Sequence, residues 1–461
     1  MNYRIHFTFT RTASFPTAWF RVCLLLALMA AGLSPAGAAL LAQDSRQLDI
    51  ESFEYVWKTI RDKHWDPTLG GLDWQAVHDE FRPRVEQSKS SDEARALISE
   101  MLSRLGQSHF SIIPSTVYRD MGSETPESGD YPAGIGETGI DVRVIDGRAL
   151  VTRVDDPSPA ASRQVGLGWE ILQVRGRPLA PVIRRIDQAY RSSTLRDFHL
   201  RRAVLSRLSG NIGDRIPMVF LDCSDREAAL DVPLARPRGN RTVFGYLGPQ
   251  FVWFESRKLD RNIGYMSFNL FLDPANLARE FGEAVQSCLR CAGIMIDLRG
   301  NPGGMGAMSM GMAGWFISAP DQRLGTMFTR SVPLKFTVNP RVQTYGGPLA
   351  ILLDGSSVST SEIFAGGLKD LGRARIFGTR SAGAALPSVF ERLPNGDGFQ
   401  YAVANYISEG GKPLEGAGVT PDEEVAPTRA ALLQGRDPVL EAAKAWIEKQ
   451  QAARATPRDE P

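Results

Sequence analysis

Between Asp49 and about Pro114 the apolar residues recur at helical intervals. Phe53, Val56, Trp57 and Ile60 form one set, and Ala94, Leu97, Ile98 and Met101 another. Spacings of three and four mark helices that bury one face. They predict a helical N-terminal domain over residues 45–120, ending at Leu105-Gly106-Gln107-Ser108-His109-Phe110. Gly122 to Asp130, rich in Gly, Ser, Pro and acid, reads as a linker. The period then shortens to two. Ile140, Val142 and Val144 alternate, Leu150-Val151-Thr152 follows, and strands are expected around Met218–Leu221 and Leu230–Leu234. This predicts a β-rich unit over residues 130–238 that includes a long helical stretch from Leu179 to Leu208.

From residue 242 to 430 strands alternate with helices. Ile263–Met266, Ile294–Arg299, Leu349–Leu353 and Arg375–Gly378 are strand-like, whereas Ala275–Val285 and Thr360–Leu371 have helical patterns. That alternation predicts an α/β layered domain, followed by a C-terminal helix and tail over 431–461. A multidomain chain is what the length requires, because 461 residues exceed what one hydrophobic core serves.

Charge removes one class of function. Lys and Arg total 53 against 52 Asp and Glu, and no basic stripe with interleaved aromatics appears, so nucleic acid is not the expected partner. Residues 1–38 are expected to be a secretory signal. Arg4, Arg11 and Arg21 precede an apolar run from Val22 to Leu33, and Ala36-Gly37-Ala38 offers small residues for cleavage. A retained N-terminal anchor is the alternative; the run is short for a membrane span, and none is expected after signal removal. The chain is therefore expected in the periplasm or secreted. Cys288 and Cys291 are expected to be inert or locally bridged, because no second pair completes a zinc site. No metal or organic cofactor is expected.

Two segments carry candidate chemistry. Asp297-Leu298-Arg299-Gly300-Asn301-Pro302-Gly303-Gly304 ends a buried strand with paired glycines, which turn sharply and expose N–H groups suited to a developing oxyanion. Asp354-Gly355-Ser356-Ser357-Val358-Ser359-Thr360-Ser361-Glu362 runs from a strand into a helix start, where a serine meets the positive end of the helix dipole. By itself Ser359-x-x-Glu362 also reads as a capping box, so the residues alone leave cap and nucleophile both open.

Together these motifs resemble the tail-specific, or C-terminal processing, serine proteases. The DLRGNPGG turn, the S-x-S-E-I-F-A-G helix start, Asp370, Gly378-Thr379 and the late Glu415-Gly416-Ala417-Gly418-Val419-Thr420-Pro421-Asp422 follow that family in order and spacing. The resemblance spans roughly residues 130 to 425. It implies an α/β catalytic domain of ClpP/crotonase-like type, with Ser359 as nucleophile and an oxyanion hole from the Thr360 N–H and a Gly303–Gly304 N–H. The best-known members take a lysine as base from a G-K-G context, but the corresponding position here is Ala384. The chain is closer to the tricorn-type branch, which places a serine before a catalytic histidine and uses a late glutamate. That branch implies roles for Ser108, His109 and Glu415. Lys369 and Lys412 are other bases within reach in sequence, and Asp370 reads as a helix-supporting or outer residue. Ala133-Gly134-Ile135-Gly136, the SPAA turn and a G-x-x-I-L-x-V-x-G hairpin resemble a PDZ domain, which implies peptide binding at Gly134, Ile135 and Gly136. The expected function is a serine endopeptidase acting on unfolded or tail-exposed polypeptides. The alternatives are a catalytically inactive peptide-binding protein of the same fold and an esterase using the same serine.

Overall fold

The computed structural model describes residues 35–115 and 135–455. The apolar run of the expected signal, the linker Gly122–Asp130 and Gly134 lie outside the described residues. Ala36-Gly37-Ala38 falls in the backbone of a helix that begins at Pro35. Among the described residues no helix is long and apolar enough to cross a membrane.

The α/β region is built on a six-stranded sheet in the order 254–259, 263–268, 293–297, 349–353, 375–378, 423–424. Its first pair is antiparallel and the remaining pairs are parallel. The central strands Gly293–Asp297 and Leu349–Leu353 are buried at every residue, as expected where helices cover both faces. Pro274–Ser287, Gly306–Ala313 and Thr360–Asp370 pack on one face around Phe281, Met312 and Phe364. Val439, Ala443 and Ile447 of the C-terminal helix cover the other. The carboxyl ends of the two central strands therefore deliver Asp297 and Asp354 to one rim.

The β-rich unit carries strands 140–145, 148–154, 170–174, 215–221 and 227–233 side by side. Val142, Val151, Ile216, Phe220 and Val232 are fully buried there. The long helical stretch resolves into two helices, Ala180–Ala189 and Arg196–Leu205.

At the N-terminal end helices run over Pro35–Lys63, Trp74–Glu86 and Ser91–Ser103. The middle one is additional to the sequence expectation, although Trp74, Val77, Phe81 and Val85 keep helical spacing and are buried. Trp57 and Trp74 lock the first two helices together by reciprocal indole bonds to each other's carbonyls, at 2.9 and 3.0 Å. The core of these helices also takes in Leu393, Phe399 and Tyr401. Those residues belong to or adjoin the hairpin of strands Ser388–Arg392 and Gly398–Ala402, which no motif announced. Strand Ser111–Ile113 pairs with Gly398–Ala402, Ser111 opposite Gln400. Arg95 bonds to Asp397, and Asn395 bonds to Asp49. The helices thus grip an outgrowth of the α/β region, and through it the segment 105–113 is anchored.

Candidate active site

Ser359 stands between strand Leu349–Leu353 and helix Thr360–Asp370, at φ 58° and ψ −118°. That backbone region suits glycine, and holding another residue there costs on the order of 1–3 kcal/mol. A serine on such a strand-to-helix turn projects its hydroxyl outward, as in a nucleophile elbow. Ser359 remains partly exposed while Val358 and Thr360 on either side are buried.

The glycine turn lies against it. A side chain on Gly303, whose φ is 90°, would put its Cβ 2.7 Å from the Thr360 N and 2.8 Å from the Ser359 Cβ. Asn301, 1% exposed, joins the two turns: Val358 N–H and Ser361 O–H both donate to its carbonyl, each at 3.0 Å. Its side-chain oxygen accepts the Gly303 N–H at 2.9 Å. Of the expected oxyanion donors, Gly303 is therefore committed within the turn. Thr360 N–H, at the first position of its helix, lacks an intrahelical acceptor. Thr360 Oγ1 donates to the Gly304 carbonyl at 2.8 Å and holds the two segments face to face.

Three remote residues meet beside this elbow. Glu415 accepts the Ser108 N–H on Oε1 at 2.7 Å and the Ser108 hydroxyl on Oε2 at 2.8 Å. Ser108 Oγ lies 2.7 Å from His109 Nδ1. Ser108 has one hydroxyl hydrogen, and it goes to Glu415; its oxygen therefore accepts, and His109 Nδ1 carries the proton. That tautomer leaves Nε2 with a free lone pair. His109 itself is strained, with φ 63°. Close surroundings disfavour the imidazolium by desolvation and bring the His109 pKa down to about 4. Burial pushes the Glu415 carboxyl up, opposed by hydrogen bonds from Ser108 and Ala385.

A continuous backbone path links this arm to Ser359. Ala385 N–H donates to Glu415 Oε2 at 3.0 Å, and the neighbouring Ala384 carbonyl accepts the Ser359 N–H at 2.9 Å. Ala384, at the position where the sequence resemblance leads one to expect a lysine, is 3% exposed and packs with Val358 and Ala382. The segment bearing His109 is braced by buried His64, which bonds to Gln107 at 3.0 Å and stacks on Phe110. The helical pattern around His64 in the sequence suggests a surface or packing role and gives no sign of this contact with the His109 segment. Glu362, read as a capping partner, is fully buried and holds a wider set of contacts around Ser381–Ala384.

The other candidates stand apart from the elbow. Lys369 Nζ, toward the far end of its helix, bonds to the Thr420 carbonyl and pairs with Asp422 at 3.1 Å. It is thus an ion-paired strut rather than a freely solvated charge. Asp370 accepts the Gly410 N–H, consistent with a supporting role. Lys412 is exposed. Cys288 and Cys291 are bridged, and the described residues contain no His, Cys, Asp and Glu grouping able to hold a metal. Ile135 is 59% exposed on strand Ile135–Glu137, which pairs with Ser209–Asn211 and brings Gly136 opposite Gly210. The β-rich unit reaches the elbow from below: Arg143 Nε donates to Asp354 Oδ2 at 2.5 Å, and Asp354 Oδ1 accepts the Gly300 and Ser356 N–H groups.

Comparison with known proteins assigns the class. Residues 262–425, which hold the elbow, the glycine turn and Glu415, match the model of peptidase family S41. Residues 50–103 match that of the tricorn protease C1 domain. The chain is a serine peptidase. Within that class residues 262–425 are similar to peptidase family S41, and similar proteins include carboxyl-terminal processing proteases. It is 26% identical over 419 residues to tricorn protease homolog 2 of Streptomyces coelicolor, a match covering 85% of this chain but only 32% of that protein. The chain thus spans about a third of that relative's length. It is 24% identical to the carboxyl-terminal-processing protease of Picosynechococcus, over 88% of this chain and 89% of the relative. The fold is similar to the photosystem II D1 C-terminal processing protease, with a TM-score of 0.54 at 19% identity, covering 85% of this chain and 98% of that one. It is also similar to mature CPAF, with a TM-score of 0.61 at 14% identity, covering 89% and 99% of the two chains.

Proposed function

We propose that the chain is an exported endopeptidase that hydrolyses unfolded or tail-exposed polypeptides through an acyl-enzyme on Ser359. The observation that carries this reading is the hydrogen-bonded series Glu415–Ser108–His109, which leaves His109 Nε2 as a neutral acceptor. In this reading His109 Nε2 takes the Ser359 hydroxyl proton as the oxygen attacks the substrate carbonyl. The imidazolium that forms is stabilised through Ser108 by Glu415. The oxyanion is received by N–H groups of Thr360 and the Gly303–Gly304 turn, Gly304 being preferred because the Gly303 N–H is already bonded to Asn301. His109 then returns the proton to the leaving amine, and water repeats the sequence on the ester.

The β-rich unit is read as a PDZ-like docking module that receives a polypeptide end at Gly134, Ile135 and Gly136. Exposed Ile135 supports that reading. Export rests on the N-terminal charge and hydropathy pattern alone. The inactive-binder alternative draws on Ala384, yet the arm on Glu415 supplies a base that needs no lysine.

The test is cleavage of unstructured casein by the purified mature chain beside Ser359→Ala and His109→Ala. Cleavage by the wild type and silence of both variants is the expected result. A wild type that binds peptides but cleaves nothing would favour the docking protein.

A further inference from the structure

We propose that Glu362 is a positioning residue for acylation, its carboxylate binding the backbone of the nucleophile to the loop that stands where other members carry their lysine. This rests on Ser359 being the nucleophile. Glu362 is fully buried. Its Oε2 accepts the Ser359 N–H at 2.9 Å and the Ala384 N–H at 3.0 Å. Its Oε1 accepts the Ser381 hydroxyl at 2.6 Å and the Gly383 N–H at 2.7 Å. Helix capping accounts for the first of these bonds and for none of the others.

All four partners donate, and only an ionised carboxylate offers acceptors in every direction. The Ser381 hydroxyl hydrogen is spent on Glu362, so its oxygen is free to accept the Val419 N–H at 2.6 Å. The loop is held from the opposite side as well, because Gly416 N–H donates to the Gly383 carbonyl at 2.8 Å. The strap thereby sets two backbone groups that bond to the proposed catalytic residues. The Ala384 carbonyl meets the nucleophile's own N–H, and the next N–H, of Ala385, meets Glu415. With alanine at 384 the loop supplies no side-chain base; what it contributes is the placement of these backbone groups, and Glu362 fixes that placement.

The roles of shape and of acceptor chemistry separate in two variants. Glu362→Gln keeps the shape but turns an NH2 toward N–H donors, whereas Glu362→Asp keeps the carboxylate on a shorter stem. We expect Glu362→Gln to slow labelling by a serine-reactive fluorophosphonate, and kcat on casein, by about 100-fold, with KM changed less than about threefold. Glu362→Asp is expected to retain more activity than Glu362→Gln. A wild-type labelling rate in Glu362→Gln, or Gln at or above Asp, overturns the proposal. If Glu362→Gln does not fold, Ser381→Ala takes its place, with an expected loss in kcat of about tenfold at unchanged KM; no loss overturns it. Wild type that fails to label at Ser359 brings down the nucleophile assignment, and this inference with it. A labelled wild type beside an unaffected Glu362→Gln brings down this inference only.

Discussion

The two halves of the candidate site are made in opposite ways. The Ser359 elbow is local: one strand, one turn and one helix within some twenty residues, pressed against a glycine turn from the adjoining strand. The His109 arm is assembled from the N-terminal segment and a late loop, with Ser108 and Glu415 separated by 307 positions. A half fixed by local backbone strain resists small changes elsewhere, whereas a half fixed by a few distant bonds depends on each of them. The difference teaches where each half is vulnerable.

The strongest break removes either half outright. Ser359→Ala and His109→Ala are each expected to lower kcat by at least about 10^4-fold, and the double variant little further, because the pair acts as a unit. Single-turnover cleavage of casein measures this, and additive losses would separate the two residues. Next come the links behind His109. Glu415→Gln and Ser108→Ala are expected to cost about 10^2-fold in kcat with KM nearly unchanged, since each disturbs the imidazole tautomer while leaving the elbow intact; a loss confined to KM would place them at substrate instead.

Acid should separate the halves more finely. Desolvation holds His109 neutral down to about pH 4, while burial lifts Glu362 to about 7, so falling pH protonates Glu362 first. Protonation sets an O–H against a donor and loosens the elbow's strap. The wild-type kcat/KM is therefore expected to drop about tenfold per unit below pH 7, and the limb to move toward about 4 in Glu362→Gln, on a lower plateau. A wild-type limb near 4 would leave His109 as the only titrating group that matters. The smallest effect belongs to the brace. His64→Ala, losing the bond to Gln107 and the stack on Phe110, is expected to cost about 1–3 kcal/mol in urea unfolding and only a few-fold in kcat. Loss of activity without loss of stability would move His64 from brace to site.

Legibility in the sequence follows the same division. The buried strands at 293–297 and 349–353 and the helix at 360–370 announced themselves by apolar runs and a helix-start motif, because parallel strands covered on both faces need continuous apolar residues. Ser108, His109 and Glu415 stand out as candidates only through the motif resemblance and not through any periodicity. The hairpin 388–402 was missed because its apolar residues serve a core shared with helices far away in sequence. Glu362 was half legible. Its bond to the Ser359 N–H is a local capping signature, but its partners at Ser381, Gly383 and Ala384 are brought near only by the fold. Gly303 and Gly304 looked equivalent until the Asn301 side chain claimed one of them.

The strand Ser111–Ile113 is short, yet its pairing with Gly398–Ala402 has a consequence for the order of manufacture. A ribosome releases residue 109 long before it has built residues 359, 400 and 415. Until the hairpin and the late glutamate emerge, the segment bearing the histidine has neither its partner strand nor the carboxylate that Ser108 bonds. In the proposed reading a half-finished copy therefore has no peptidase activity, and competence arrives only once residues 109, 359 and 415 have all been made.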